Sequence, residues 1–208
     1  MLNFLWQKPF NLFLLIGGGA VGGTQTLFGF EPEGRALAPD EIARLEKIYA
    51  DAVDYSLIRL KEGDIGLFGF GGAPFTYCNT IYIPTGRLPP VAHPDYADAL
   101  VYLLAHEIHH VWQYQNGGAN YMSASLVNQF AAHLKTGSRG SAYNFERGIK
   151  AGKSWAELNP EQQASLIENC YAHGLFEDET ARFIWNETDY TDYAREAIRQ
   201  MRLRQGAP

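Results

Sequence analysis

Leu103-Leu104-Ala105-His106-Glu107-Ile108-His109-His110-Val111-Trp112-Gln113 carries two overlapping patterns. The first is apolar. Leu100, Val101, Leu104, Ala105, Ile108 and Val111 recur at the spacing of one buried helical face, which predicts a helix from Pro94-Asp95 to about Gln115, ended by Gly117-Gly118. The second is chemical. A helix advances about 100° per residue, so His106 and His110 project from nearly the same face, one turn apart. Two imidazoles so placed can reach one cation, and neutral imidazole suits zinc. Glu107 stands beside that face, close enough to meet a water polarised by the metal without ligating the ion. In H-E-x-x-H this glutamate takes the water's proton and passes it to the leaving amine. The metal makes a hydroxide-like nucleophile available near neutral pH. The expected chemistry is peptide-bond hydrolysis, with Glu107 as the catalytic residue.

The chain has six histidines, and three fall within these five residues. A chance H-E-x-x-H arises in on the order of one chain in a hundred of this composition, so the motif on a periodic helix favours metal chemistry over a coincidental cluster. His109 points about 60° to the other side of His106 and is expected to stand beside the site or on the surface. A catalytic zinc needs a third protein ligand and an open position. The metzincin extension is missing, because Val-Trp-Gln-Tyr-Gln-Asn-Gly-Gly follows His110. A ligand from another helix is therefore expected, as in the gluzincin arrangement. The downstream candidates are His133, Glu146, Glu157, Glu161, Glu168 and His173. Glu161 and Glu168 share one helical face, and spacing alone does not choose between them. The helix dipole alone would also favour a glutamate in the first turn, as at Glu161. Tyr171 and His173, at the end of the same helix, are candidate donors to the oxyanion of a tetrahedral intermediate, against an ordinary packing role. Trp112 reads as core, and Gln113 as a group holding a nearby loop.

Further out, Ile42, Leu45, Ile48 and Tyr49 predict a helix over 40–54. Strand-like stretches follow at 56–60 and 76–83, separated by the glycine-rich 63–72. The second is a candidate substrate-binding edge. A helix is expected at 123–134, then a Gly/Ser-rich break at 137–141. Asn159-Pro160-Glu161-Gln162 starts another helix with Asn as cap and Pro in the first turn, running to Gly174. A last helix spans about 190–203. The fold class expected is α+β: a small mixed β-sheet followed by a mainly helical, zincin-like (gluzincin-type) metallopeptidase domain over 31–208.

Residues 1–30 differ in composition. The stretch 10–16 is apolar apart from Asn11, and a Gly/Ala/Val run follows it. Trp6 and Pro9 fit a signal peptide poorly, and the stretch is shorter than the roughly 20 residues of a membrane span. It reads as an extended or loop-like arm, or as a junction from a larger delivered protein. The net charge of −6 and the lack of a Lys/Arg cluster argue against nucleic acid or an anionic membrane as partner. Cys78 and Cys170 form no C-x-x-C pair and read as two buried thiols.

The run from Leu103 to Gln113 resembles the active-site helix of bacterial Vgr-related proteins, metallopeptidases connected with type VI secretion spikes and contractile injection systems. Gly34-Arg35-Ala36-Leu37-Ala38-Pro39-Asp40-Glu41-Ile42, followed by Asp54-Tyr55, resembles the opening of that family's domain. Pro160-Glu161-Gln162-Gln163-Ala164 resembles its downstream Glu-Gln-Gln-Ala helix. The likeness covers about 34–175. It implies one zinc per chain on His106, His110 and Glu161, with Glu168 as the alternative third ligand. It also implies an antibacterial effector or toxin acting on a protein or peptide substrate, delivered outside the producing cell, with the periplasm as a candidate compartment. A secretion-spike carrier and an immunity protein are the candidate partners. The competing reading is a structural or docking component of the apparatus, with a metal that only braces the fold.

Overall fold

The computed structural model describes residues 33–64, 73–121 and 142–208, together with 9, 11–13, 16–21 and 24. Helix α1 (Pro39–Tyr49) starts where Pro39 presets φ and the Glu41 carboxylate accepts the Ala38 N–H at 2.7 Å. It ends before the expected 54, because Ala50 takes a φ of 51° that breaks the helical run. A short 3-10 turn (Tyr55–Leu57), capped by Asp54, takes the place of the first part of the expected strand 56–60. The strand itself, β1 (Arg59–Gly63), begins later.

The stretch 76–83 is not one strand. It divides into β2 (Phe75–Tyr77) and β3 (Thr80–Pro84), which turn at Cys78 and Asn79, with Cys78 at a φ of 54°. The sheet order is β1-β3-β2, with β1 parallel and β2 antiparallel to the central β3. The small mixed sheet expected is present, and β2 is its edge.

Helix α2 (Tyr96–Gly117) carries the histidine motif and packs against α1, β2 and β3. It ends at Gly118, whose φ of 75° suits a residue without Cβ. Polar contacts fix its position along the core. The Tyr49 hydroxyl donates to the Ala105 carbonyl at 2.6 Å, one residue before the motif. The Trp112 indole donates to the Met201 carbonyl at 3.0 Å, and the Gln115 amide holds Asp54 and Asn79.

After α2 come α3 (Phe145–Lys150), a 3-10 turn (Trp155–Glu157), α4 (Pro160–Ala172), the hairpin β4 (Ile184–Trp185) and β5 (Thr188–Asp189), and α5 (Thr191–Arg202). The sequence reading has neither α3 nor the hairpin, since both are too short for periodicity to show. Their punctuation is visible afterwards: Asn144 caps α3 by accepting the Arg147 N–H, and Asn186-Glu187, both at positive φ, make the two-residue turn. The core joins Leu45, Ile48 and Tyr49 to Ile81, Leu104, Ile108, Trp112, Leu166, Ile167 and Met201. The architecture is mixed α+β and mainly helical beyond the sheet.

The described residues of the N-terminal stretch are helical, not extended. A helix satisfies its own amides where no strand partner is offered. Asn11 donates to Asn120 at 3.1 Å, and a Cβ at Gly18 would lie 2.5 Å from the Tyr77 ring. The expected helix 123–134, the break 137–141 and most of the glycine-rich 63–72 lie outside the described residues. Among those described, no helix is long and apolar enough to cross a membrane. Cys78 and Cys170 are free thiols, half-buried and buried respectively.

Candidate metal centre

Two helices build the site. Helix α2 supplies His106, Glu107 and His110. The first turn of α4 lies alongside and supplies Glu161. Helix α4 begins there because its start is a reciprocal cap: Asn159 accepts the Gln162 N–H at 2.9 Å, and the Gln162 side chain accepts the Asn159 N–H at 3.2 Å. With that cap in place Glu161 is turned inward, where it is 2% exposed.

Glu161 Oε2 stands 3.4 Å from His106 Nε2 and 3.4 Å from His110 Nε2. All three ligand atoms lie within 4.8 Å of one another. In a tetrahedral site with bonds of about 2.1 Å, neighbouring ligand atoms stand about 3.4 Å apart, so both His–Glu separations suit zinc. The other nitrogen of each ring is taken. His106 Nδ1 lies 3.0 Å from Glu168 Oε2, and His110 Nδ1 lies 2.8 Å from Gln113 Oε1. Both partners are acceptors, so each Nδ1 holds a proton and each Nε2 is left facing Glu161, where a cation would take the place of any proton on it. The residues fit a divalent cation.

The electrostatics agree. Burial opposes protonation of His106, but Glu161 and Glu168 outweigh it and raise its pKa to about 10. Burial likewise opposes a charged His110, and the Glu161 carboxylate again prevails and raises its pKa. Burial would raise the Glu161 pKa, yet the two imidazoles hold it well below the usual carboxylate range. A buried carboxylate flanked by two histidines draws positive charge, which a cation can supply.

Glu107 is buried beside the cluster. Burial pushes its carboxyl up, against the opposing pull of His106, His110 and the Thr76 hydroxyl. That hydroxyl, on edge strand β2, lies 2.8 Å from Glu107 Oε2. A cavity of about 780 Å³ reaches His106 and Glu107 and runs past Tyr143 and Glu168 to Tyr171.

Of the other sequence candidates, Glu168 holds the back of His106 and is not grouped with the three ligand atoms. Glu146 is bound by Lys150, Asn186 and Tyr190, and Glu157 caps Ser154. His133 lies outside the described residues. Tyr171 lines the cavity, but it stands ten residues beyond Glu161, about 15 Å along the helix. His173 caps the end of α4, with its ring on Phe183 and its Nδ1 against the Asn169 carbonyl, and takes no part in the cavity wall. His109 is fully buried, stacked on Trp112 at 4.9 Å and edge-on to Trp155 at 5.4 Å, not at the surface.

Three contributors escape the sequence reading. Tyr143 stands with its ring 5.9 Å from that of His106 and lines the cavity. Thr76 meets Glu107, and Gln163 meets Gln113 at 2.9 Å. Gln163 lies in the Glu-Gln-Gln-Ala run but has no role assigned to it there, and Tyr143 and Thr76 have no motif; each reaches the site through tertiary contact.

No family model matches the chain, and no solved structure matches it. Over 164 residues the chain is 28% identical to the type VI secretion system spike protein VgrG2b of Pseudomonas aeruginosa, a stretch covering 74% of this chain. The chain spans 14% of the length of that relative, so the similarity is to one part of a much longer spike protein.

Proposed function

We propose that this chain is a zinc-dependent metallopeptidase, of zincin-like (gluzincin-type) design, and that it serves as an effector associated with a type VI secretion spike. The observation that carries the catalytic part is the convergence of His106 Nε2, His110 Nε2 and Glu161 Oε2, with Glu107 buried alongside at the end of an open cavity. Among the described residues three donors converge, which would leave a fourth position for water and supports catalysis over a metal that only braces the fold. The similarity to a spike protein supports the secretion part.

His106, His110 and Glu161 would hold the ion, which when bound supplies Lewis acidity to a water and to the scissile carbonyl. Glu107 accepts the attacking water's proton at its carboxylate and returns it to the leaving amine. Its burial raises its affinity for that proton, and the Thr76 hydroxyl, within reach of both the Glu107 carbonyl and its Oε2, orients it from the sheet side. Tyr143, set against the His106 ring, is the better-placed candidate donor to the developing oxyanion, in the role the sequence reading gave to Tyr171 and His173. Strand β2, at the edge of the described sheet, is the candidate for pairing with an extended peptide.

Zinc content and peptidase turnover test this together. The chain should bind one zinc, and His106→Ala or His110→Ala should lose it. Glu107→Gln should keep the metal and lose turnover by about a hundred- to ten-thousand-fold. Unchanged turnover in Glu107→Gln would refute the catalytic reading.

A further inference from the structure

We propose that Gln163 is a positioning residue for the metal ligand His110, acting through Gln113, and that the Gly206 carbonyl holds Gln163 to that task. The inference rests on the metal site proposed above. It follows from which groups along one buried line of hydrogen bonds can only accept.

The line starts at two backbone carbonyls, which have no proton to give. Gln163 Nε2 donates to Trp155 O at 2.9 Å and to Gly206 O at 2.9 Å. With both amide hydrogens so placed, the Gln163 amide cannot flip, and its Oε1 must face the other way. There it accepts Gln113 Nε2 at 2.9 Å. The second Gln113 amide hydrogen goes to the Pro160 carbonyl at 3.0 Å, so this amide is also fixed. Gln113 Oε1 is thereby presented to His110 Nδ1 at 2.8 Å. A carbonyl oxygen there can only accept, so His110 keeps its proton on Nδ1 and presents Nε2 on the Glu161 side for the metal.

Gln113 and Gln163 are both fully buried, so no bulk water competes for these contacts. If either amide reversed, donor would face donor or carbonyl would face carbonyl at two places at once, a costly arrangement at low dielectric. The other histidine is set independently: the Glu168 carboxylate, also acceptor-only, fixes His106. Close approach of the segment ending in Pro208 depends on Gly117, where a Cβ would stand 2.5 Å from Pro208 O and 3.1 Å from Ala207 Cβ. The segment that fixes His110 is thus seated against the end of the helix that carries it.

The test is zinc affinity of the full chain, measured by competition with a chromophoric chelator. Gln163→Leu should weaken binding about ten- to a hundredfold, and Gln113→Leu by a similar factor. The double variant should lose no more than the weaker single one, because both break the same line. Gln163→Leu combined with Glu168→Leu should multiply the two losses, since the histidines are set separately.

A second background separates positioning from general damage. In a Gln113→Glu background the carboxylate has no hydrogen to give to Gln163 and the line is already broken there, so adding Gln163→Leu should cost no further affinity. If Gln163→Leu does not fold, deletion of residues 206–208 removes one anchoring carbonyl and should weaken zinc about threefold or more. A parent that binds zinc, with a Gln163→Leu variant that binds it equally tightly, overturns this inference alone. A parent that binds no zinc overturns the metallopeptidase reading and this inference with it.

Discussion

Under the proposed mechanism two demands meet at Glu107: the carboxylate must reach a water near the metal, and it must not become a ligand itself. The Thr76 hydroxyl, 2.8 Å from Oε2, restrains it from the sheet side. Thr76→Val keeps the β-branched shape of the strand and removes the hydroxyl. Turnover should fall about tenfold while zinc affinity stays the same, as expected for a group that orients a base. Tyr143→Phe should likewise leave zinc binding intact and lower kcat by about a hundredfold, if its hydroxyl meets the oxyanion. His109 answers to different physics. Neither of its ring nitrogens has a hydrogen-bond partner among the described residues, and burial among Trp112, Trp155 and Tyr49 keeps it neutral. His109→Phe preserves the stacking and removes two unsatisfied nitrogens, so it should raise stability by about 1 kcal/mol without changing zinc content. Zinc loss in that variant would count against the ligand assignment. That His106 and His110 share a face while His109 points away was legible in the sequence, because angular spacing on a helix is fixed. The burial of His109 was not, because it depends on α1 and the Trp155 turn packing over that face.

At the scale of elements, α2 and the first turn of α4 together make the centre. The run Glu161-Gln162-Gln163 divides its work there. Glu161 faces the histidines, Gln162 closes the helix cap, and Gln163 joins Gln113 to the segment ending in Pro208. Successive residues on a helix point about 100° apart, which lets three neighbours serve three different surfaces. Gly117 is the matching feature on α2. Gly117→Ala would drive a methyl group into the Pro208 carbonyl. A drop in stability of about 1–3 kcal/mol is expected, read as a lower urea midpoint. The sheet shows what periodicity misses. A run that reads as one strand over 76–83 is a hairpin, since a two-residue turn at Cys78 and Asn79 interrupts it without glycine or proline. The consequence is functional, because the turn makes β2 an edge and brings Thr76 against Glu107.

Over the whole molecule, a bound cation would tie α2 to α4, the two helices at the centre of the core. Metal that binds only the folded chain stabilises it by mass action, about 4 kcal/mol at free zinc a thousandfold above Kd. Chelation should therefore lower the melting temperature by several degrees, and added zinc should restore it. His110→Ala should melt at the same temperature with and without chelator. A parent that melts identically in both conditions would argue against a resident metal.

What the sequence by itself determined is local. Helical spacing puts His106 and His110 on one face with Glu107 beside it, and Asn159-Pro160 starts the helix that carries Glu161. The α+β class also follows from local pattern. Between Glu161 and Glu168 spacing could not choose, because seven residues return a side chain to nearly the same face. The tertiary structure separates the two by the position of α4 along α2: the first turn meets the Nε2 atoms, while Glu168, about 10 Å further along, meets His106 from behind. It alone decided that Tyr143, Thr76 and Gln163 stand around the centre, since each comes from a separate element and no periodicity within one element encodes a contact between two.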